Sequence, residues 1–114
     1  MIYYGTMDVY HALADPTRRH IVELLAAHKQ LSATQISDKF NMSAPAVSQH
    51  LKILREAHVV DMEKRAQQRI YTINPLSIDE ISQWIEKLKK RWEEKFSRLD
   101  ELLKNEKEGG EQNE

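Results

Sequence analysis

The sequence predicts a mainly α-helical fold with one small β-hairpin and a long C-terminal helix. Apolar residues recur at helical spacing over most of the chain, as at Ile21, Leu24 and Leu25. Over residues 60–73 the sequence instead repeats with a period of two and contains β-branched and aromatic residues, which is typical of two short strands. From residue 78 to about residue 104, one apolar stripe continues without interruption, as in a helix that packs along most of its length.

The length of 114 residues suits one domain, which we expect over residues 1–105, followed by a disordered polar tail at 106–114. The chain has no cysteine, which excludes disulfide bonds, thiolate metal sites and cysteine nucleophiles. No apolar run approaches the roughly 20 residues of a membrane span, and the first residues lack a signal-peptide pattern. We therefore expect a cytoplasmic protein without a membrane partner.

Charge is unevenly distributed along the chain, although the net charge is only −1. Residues 15–74 contain nine Lys or Arg and six Asp or Glu, a local charge of +3. Residues 75–114 contain eight Lys or Arg and eleven Asp or Glu, a local charge of −3, and Asp8 supplies the remaining −1. A basic middle beside an acidic end suits a local anion-binding surface. An ordinary solvated surface with uneven charge is the alternative.

The helices begin at recognisable capping residues. A short helix at residues 6–14 comes first, and Asp15 followed by Pro16 starts a second helix with a stripe from Ile21 to His28. Three further starts combine a cap with a flanking apolar pair. The caps are Ser32 with Gln35, Ser43, and Ser77 with Glu80, and the apolar pairs are Leu31 and Ile36, Met42 and Val47, and Leu76 and Ile81.

A short turn separates the helices capped by Ser32 and Ser43. The first of them ends near Phe40, and Asn41 can take the left-handed conformation that ends a helix. Residues 41–43 then form a three-residue turn, which is the spacing of a helix-turn-helix. A hairpin follows, with its loop near residues 66–68. This order predicts a winged helix-turn-helix, with a winged core at 6–76 and a C-terminal dimerisation helix at 77–105.

The helix after Ser43 has an apolar face and an opposite polar face. Its polar side chains are short and include one cation, which suits insertion into the major groove of DNA. Cations on the hairpin suit the flanking DNA backbone or minor groove. An ordinary surface helix, which is also polar outside, is the alternative. The apolar face comprises Val47, Leu51 and Leu54, the polar face comprises Pro45, Ser48, Gln49 and Lys52, and the hairpin cations are Lys64, Arg65 and Arg69.

Three stretches of the chain resemble the ArsR-like winged helix-turn-helix transcriptional repressors. They read ALADPTRRHIVELL, TQISDKFNMSAPAVSQHLKILREAHVV and RIYTIN, and the resemblance extends over residues 7–76. It implies a dimeric DNA-binding regulator that represses by occupying an operator, with its recognition helix at residues 44–57. It also implies DNA contacts from Ser43, Ala44, Pro45, Ser48, Gln49, His50 and Lys52 on that helix, and from Lys64, Arg65, Gln67, Gln68 and Arg69 on the wing.

Two positions depart from the family pattern. His58 stands where the family usually has glycine at the end of the recognition helix, and histidine enters the left-handed region only occasionally. The wing also lacks the common glycine, so the sequence leaves the geometry of its turn open.

Many ArsR-like proteins release DNA when a metal binds, but the residues of those metal sites are missing here. The helix at 33–40 lacks the cysteine pair, and the last helix has no histidine. The resemblance is therefore to the metal-independent branch of the family. We expect no metal site and no cofactor.

The last helix carries an apolar stripe with flanks of mixed charge, which we interpret as a homodimer interface. The apolar N-terminal residues Ile2, Tyr3, Tyr4 and Met7 could cover part of this interface. A ligand pocket lined by aromatic side chains of the same helix, Trp84, Trp92 and Phe96, is the alternative. The interface residues that we expect are Ile81, Trp84, Ile85, Leu88, Trp92, Phe96 and Leu99.

These patterns together predict a sequence-specific transcriptional regulator, a repressor that binds double-stranded DNA at an inverted-repeat operator as a homodimer. A winged helix that binds another protein instead of DNA is the alternative. The chain has no recognisable nucleophile–base pair, phosphate-binding glycine loop or metal-ligand cluster, so we do not expect an enzyme. The sequence identifies neither the operator nor a small-molecule or protein effector.

Overall fold

The computed structural model describes the backbone of residues 8–112 and the side chains of residues 8–106. The chain divides into two units, residues 1–81 and 82–114. The mainly helical fold with a hairpin and a long C-terminal helix is confirmed. Its elements are α1 (Val9–Ala12), α2 (Pro16–His28), β1 (Gln30–Ser32), α3 (Ala33–Asp38), α4 (Ala44–Glu56), β2 (Val60–Arg65), β3 (Gln68–Ile73) and α5 (Pro75–Gln112).

Three predicted helix starts are confirmed by side-chain caps. The Asp15 carboxylate accepts the backbone N–H of Arg18 at 3.0 Å, just before Pro16. The Ser32 hydroxyl accepts the backbone N–H of Gln35 at 3.1 Å, and the Gln35 side chain accepts the backbone N–H of Ser32 at 2.8 Å. The Ser43 hydroxyl accepts the backbone N–H of Ala46 at 3.3 Å. These caps satisfy backbone donors that a helix leaves open at its first turn.

The hairpin is part of a three-stranded antiparallel sheet with the order β1-β3-β2. In the β2–β3 pair, Arg65 lies opposite Gln68, so Ala66 and Gln67 form the turn. Ala66 takes a φ of 55°, the left-handed conformation that the family's glycine would adopt more easily. The third strand, β1, was not expected from the sequence, and it pairs with β3 through Leu31 opposite Tyr71.

The core of the first unit lies between the helices and one face of the sheet. Ile21, Leu25, Ile36 and Leu54 are among its most buried side chains. His28 was expected to extend the stripe of α2 but is exposed, because α2 ends there and Lys29 turns the chain toward β1 with a φ of 71°. Ile81 packs against this core within the first unit. Its side chain, a predicted member of the homodimer interface, is therefore partly buried in the single chain.

The junction after α4 confirms the left-handed conformation expected at His58, whose φ is 59°. The backbone N–H of Val59 bonds to the carbonyl of Leu54 at 2.9 Å, and that of His58 bonds to the carbonyl of Arg55 at 3.0 Å. These two bonds form a Schellman motif, which normally favours glycine at the position of His58. The motif directs the chain from α4 into β2.

Several expected boundaries are wrong. The helix α3 ends at Asp38, not near Phe40, so the turn before α4 comprises residues 39–43 and is longer than three residues. Bonds of the i to i+3 type, from Lys39 to Ile36 and from Phe40 to Ser37, tighten the helix end instead of a left-handed Asn41.

The start and end of α5 also differ from expectation. The helix begins at Pro75, and the Asn74 side chain accepts the backbone N–H of Leu76 at 2.9 Å. Ser77 is therefore not the cap; its buried hydroxyl donates to the carbonyl of Asn74 at 2.7 Å. The backbone of α5 continues through residues 106–112, which are part of the polar tail that the sequence predicts.

Candidate nucleic-acid interface

The helix α4 has the two faces that the sequence predicted. Val47 and Leu54 are buried at 1% and 0% exposure and fix the helix to the core of the first unit. The opposite face is open to solvent over the first two to three turns. Its exposed residues are Ser43, Ala44, Pro45, Ser48, Gln49 and Lys52. The helix therefore offers short hydrogen-bonding side chains and one cation to a partner outside the chain.

The N-terminal end of α4 adds to the positive potential of this face. Only Ser43 caps it, and its first turn contains no acidic residue. The remaining backbone N–H groups and the helix dipole favour an anion at this end. The Lys52 side chain has no ion pair or hydrogen bond among the described residues, so its ammonium group is available to a phosphate or a guanine.

The cations of the wing are not equivalent. Lys64 and Arg69 lie opposite each other on β2 and β3, and neither side chain has a hydrogen bond or ion pair within the described part of the chain. Arg65 instead bonds to Glu63 at 3.0 Å and to the Gln30 side chain at 3.4 Å. Gln67 and Gln68 are exposed at the tip. The wing thus has two free cations and one that an acidic neighbour already neutralises.

A cleft of about 370 Å³ lies between α3, α4 and β3. Arg69 and Ser48 line it together with Thr34, Ser37 and Asp38 of α3. The three α3 residues were not among the predicted contacts, although their spacing of three and four places them on one outer face of the first helix of the helix-turn-helix. The hydroxyl groups can donate to a DNA phosphate, whereas the Asp38 carboxylate opposes one.

His50 faces the protein more than the solvent. Its side chain is 22% exposed, and its Nδ1 lies 3.3 Å from Nη1 of Arg18 and 3.9 Å from the Asp15 carboxylate. Of the predicted contacts on α4, it is the one that has side-chain partners among the described residues. The pKa of Asp15 is lowered from its ordinary value, mainly because the carboxylate accepts the backbone N–H of Arg18 and also because Arg18 and His50 lie nearby.

Comparison with known proteins identifies the family. The model of the bacterial regulatory proteins of the arsR family matches residues 15–61, which contain α2, α3 and α4. The transcriptional repressor SdpR of Bacillus subtilis (strain 168) is 35% identical over 78 residues, or 68% of this chain and 86% of that protein. This chain belongs to the arsR family.

A further relative and a solved structure agree with this chain in sequence and in fold. The HTH-type transcriptional regulator Rv2034 of Mycobacterium tuberculosis (strain ATCC 25618 / H37Rv) is 42% identical over 69 residues, or 60% of this chain and 64% of that protein. The solved ArsR-like transcriptional regulator from Rhodococcus sp. RHA1 has a TM-score of 0.70 and 21% identity, over 82% of this chain and 88% of that one. The second likeness shows the shared winged-helix fold. Family membership makes the chain a DNA-binding transcriptional regulator and not an enzyme.

The arsR-family chain also has a stripe of large apolar side chains on the described part of its second unit. Trp92 and Phe96 pack against each other with ring centroids 5.2 Å apart. The stripe residues are between 43% and 64% exposed in the single chain, namely Trp84, Ile85, Leu88, Trp92, Phe96, Leu99, Leu102 and Leu103. The expected contribution of residues 2–4 and 7 to this surface lies outside the described residues.

The described residues form neither a cluster of metal ligands nor a membrane-spanning helix. Among residues 8–106, no group of three or more His, Cys, Asp or Glu side chains is placed to hold a metal ion. In the same part of the chain, no helix combines the length and the apolar character needed to cross a membrane.

Proposed function

We propose that this arsR-family chain is a transcriptional repressor that recognises an inverted-repeat DNA operator as a homodimer, with α4 as its recognition helix. The observation that carries the proposal is the exposed polar face of α4 over residues 43–52, opposite a face that is fully buried. A helix anchored in this way can enter the major groove with its N-terminal half first.

Base reading is assigned to Gln49, supported by Ser48 and Lys52. A glutamine can bond to an adenine through two groups at once, and a lysine can bond to guanine or to phosphate. Phosphate contacts are assigned to the unpaired wing cations Lys64 and Arg69 and, with less weight, to Arg65. The exposed Gln67 and Gln68 and the small residues Ser43, Ala44 and Pro45 complete the proposed surface.

The proposed dimer interface is the apolar stripe of α5. Side chains such as Trp92 and Leu88 are 64% and 46% exposed in the single chain, and apolar surface of this extent is covered in most soluble proteins. A second copy supplies a matching stripe, because the contact surface of a two-fold dimer is the same on both chains. Two recognition helices would then meet half-sites about 34 Å apart, one turn of DNA.

Repression by occupation of the operator is proposed from the SdpR relative, whose name describes a repressor. We place the regulator in the cytoplasm, with the chromosome. We also propose that it belongs to a metal-independent branch of the family, since the chain has no cysteine and α5 has no histidine. Added zinc or arsenite should then leave operator affinity unchanged.

The first experiment is to select bound duplexes from a random DNA pool with the full chain at about 150 mM salt, because affinities depend strongly on salt. An enriched motif with two-fold symmetry is expected. Absence of any enriched motif, together with absence of salt-sensitive retention on DNA, would favour a winged helix that binds a protein instead.

The second experiment tests whether Gln49 reads a base. Gln49→Ala should weaken binding to the selected operator by about 5- to 150-fold per half-site, the value of one good two-bond contact, and should change random-DNA binding little. Gln83→Ala removes the same side chain from an exposed position on α5 and serves as the matched control. Equal losses on the operator and on random DNA would show that Gln49 reads no base.

A further inference from the structure

Arg18 is a buried cation that the proposed DNA contacts do not use. It is 9% exposed although it belongs to α2, whose neighbouring Arg19 is exposed. Its Nε donates to the carbonyl of Ala12 at 2.6 Å, and its Nη2 donates to the carbonyl of His11 at 3.4 Å. Both carbonyls lie at the C-terminal end of α1, and that of His11 also accepts the backbone N–H of Ala14 at 3.1 Å.

The third nitrogen of Arg18 points at the recognition helix. Its Nη1 lies 3.3 Å from Nδ1 of His50, which is on α4 directly after Gln49. A guanidinium group can only donate hydrogen bonds, so Nδ1 of His50 must accept. An imidazole that accepts at Nδ1 is neutral and carries its proton on Nε2.

Asp15 is a second possible hydrogen-bond partner of His50, and it would accept a proton where Arg18 donates one. Its carboxylate lies 3.9 Å from the same Nδ1, and a carboxylate can only accept. If His50 carried a proton on Nδ1, the proton would be attracted to Asp15 and would face the donor groups of Arg18. The distances favour the bond from Arg18, since 3.9 Å is too long for a hydrogen bond.

We propose that Arg18 is a positioning residue for DNA recognition: it holds His50 in the Nε2–H form and thereby fixes the orientation of α4 relative to α1 and α2. His50 then acts as an anchor inside the protein and not as a DNA contact. This inference rests on the proposed function of α4, because the consequence of the anchor is the placement of Gln49 and Lys52 in the groove.

The protonation form can be measured without DNA. A long-range ¹H–¹⁵N correlation spectrum of the full chain at about pH 8, where an ordinary imidazole is neutral, reports which ring nitrogen of each histidine carries the proton. The His50 signals are those that disappear in His50→Asn. A proton on Nε2 alone is expected, and a proton on Nδ1 would overturn the proposal whether or not the chain binds an operator.

Two substitutions of His50 separate an anchor from a DNA contact. Asparagine places an acceptor oxygen near the position of Nδ1 but has no atom at the position of Nε2, whereas leucine has neither. His50→Leu should weaken operator binding about tenfold, as loss of a bond to a charged group does, while His50→Asn should stay within about threefold of the parent. Equal losses of operator affinity in the two variants would indicate that His50 contacts DNA directly. An unchanged operator affinity of His50→Leu would show that His50 does not anchor α4. Either result overturns the proposal.

Arg18 is tested against its neighbour. Arg18→Gln should reduce operator affinity about tenfold with random-DNA affinity nearly unchanged. Arg19→Gln is the matched control, because the Arg19 side chain bonds to the carbonyls of Leu13 and Ala14 and forms no hydrogen bond to α4 within the described residues. If both variants bind the operator equally well, Arg18 does not position α4. If Arg18→Gln does not fold, as judged by circular dichroism, the comparison of His50→Leu with His50→Asn tests the proposal instead.

Discussion

Replacing Arg69 with alanine tests the role of the wing, because the structure makes two neighbouring arginines unequal. The Arg69 side chain has no hydrogen bond or ion pair among the described residues and lies beside α4 in the cleft that Ser48 also lines. Arg65 bonds to Glu63 at 3.0 Å. Each substitution removes one positive charge from the same hairpin. A difference between them therefore reports direct phosphate contact and not net charge.

The expected size follows from counterion release. Each neutralised phosphate contributes about −0.9 to the slope of log K against log salt, so loss of Arg69 from both wings of a dimer should flatten the slope by about 1.8. Between about 50 and 200 mM salt, the affinity deficit of Arg69→Ala should then shrink about twelvefold. Arg65→Ala should change the slope by less than about half as much, because Glu63 already holds its guanidinium group.

The assay is fluorescence anisotropy of a labelled operator duplex and a random duplex, titrated with each variant at four or more salt concentrations. Arg69→Ala should weaken binding to both duplexes, since phosphate contacts carry no sequence information. Identical slopes for the two arginine variants would refute the distinction drawn from the Glu63 contact. An unchanged slope for Arg69→Ala would show that this residue contacts no phosphate.

Three further predictions concern assembly and stability. Trp92→Glu should yield a monomer in size-exclusion chromatography with light scattering, since Trp92 is 64% exposed in the single chain and the proposed interface would bury its charged replacement; a variant that stays dimeric would exclude Trp92 from the seam. His58→Gly should raise the free energy of unfolding by about 0.5–1 kcal/mol, because glycine adopts the φ of 59° without a Cβ clash; urea unfolding at fixed protein concentration with an unchanged midpoint would contradict this. The lowered pKa of Asp15 means that its ionised form stabilises the fold above the ordinary aspartate pKa and that this contribution is lost as pH falls through the folded-state pKa. Asp15→Asn keeps a capping side chain without the titration, so its stability should fall less than that of the parent between about pH 5 and pH 3, and parallel stability curves would refute the assignment.

The features that the sequence predicted correctly are those set by neighbouring residues. The caps at Asp15, Ser32 and Ser43 each bond to a backbone N–H three residues later, so the deciding contact lies within one turn. The alternation of residues 60–73 similarly reports a hairpin whose strands are adjacent in the chain. The two faces of α4 follow from helical periodicity alone.

The features that the sequence did not predict depend on distant residues or on competition between local choices. The strand β1 has only three residues, too few for an alternating pattern, and it exists because β3 offers a free edge. Ser77 resembled a cap, but Asn74 precedes a proline and caps the chain earlier. The pairing of His50 with Arg18 joins residues 32 positions apart, and no local spacing indicates it.

The proposed base reading by α4 and the proposed dimerisation through α5 depend on each other energetically. One copy of α4 exposes few base-reading groups, mainly Gln49 and Lys52, and two such contacts give about 2–6 kcal/mol of discrimination at best. Specific regulators typically need about 4–10 kcal/mol over non-specific DNA. A second copy doubles the number of base contacts without any new side chain, so an apolar seam on α5 would supply the specificity that a single α4 lacks. A monomeric Trp92→Glu variant should therefore lose its preference for the operator while it keeps most of its weak, salt-sensitive binding to random DNA.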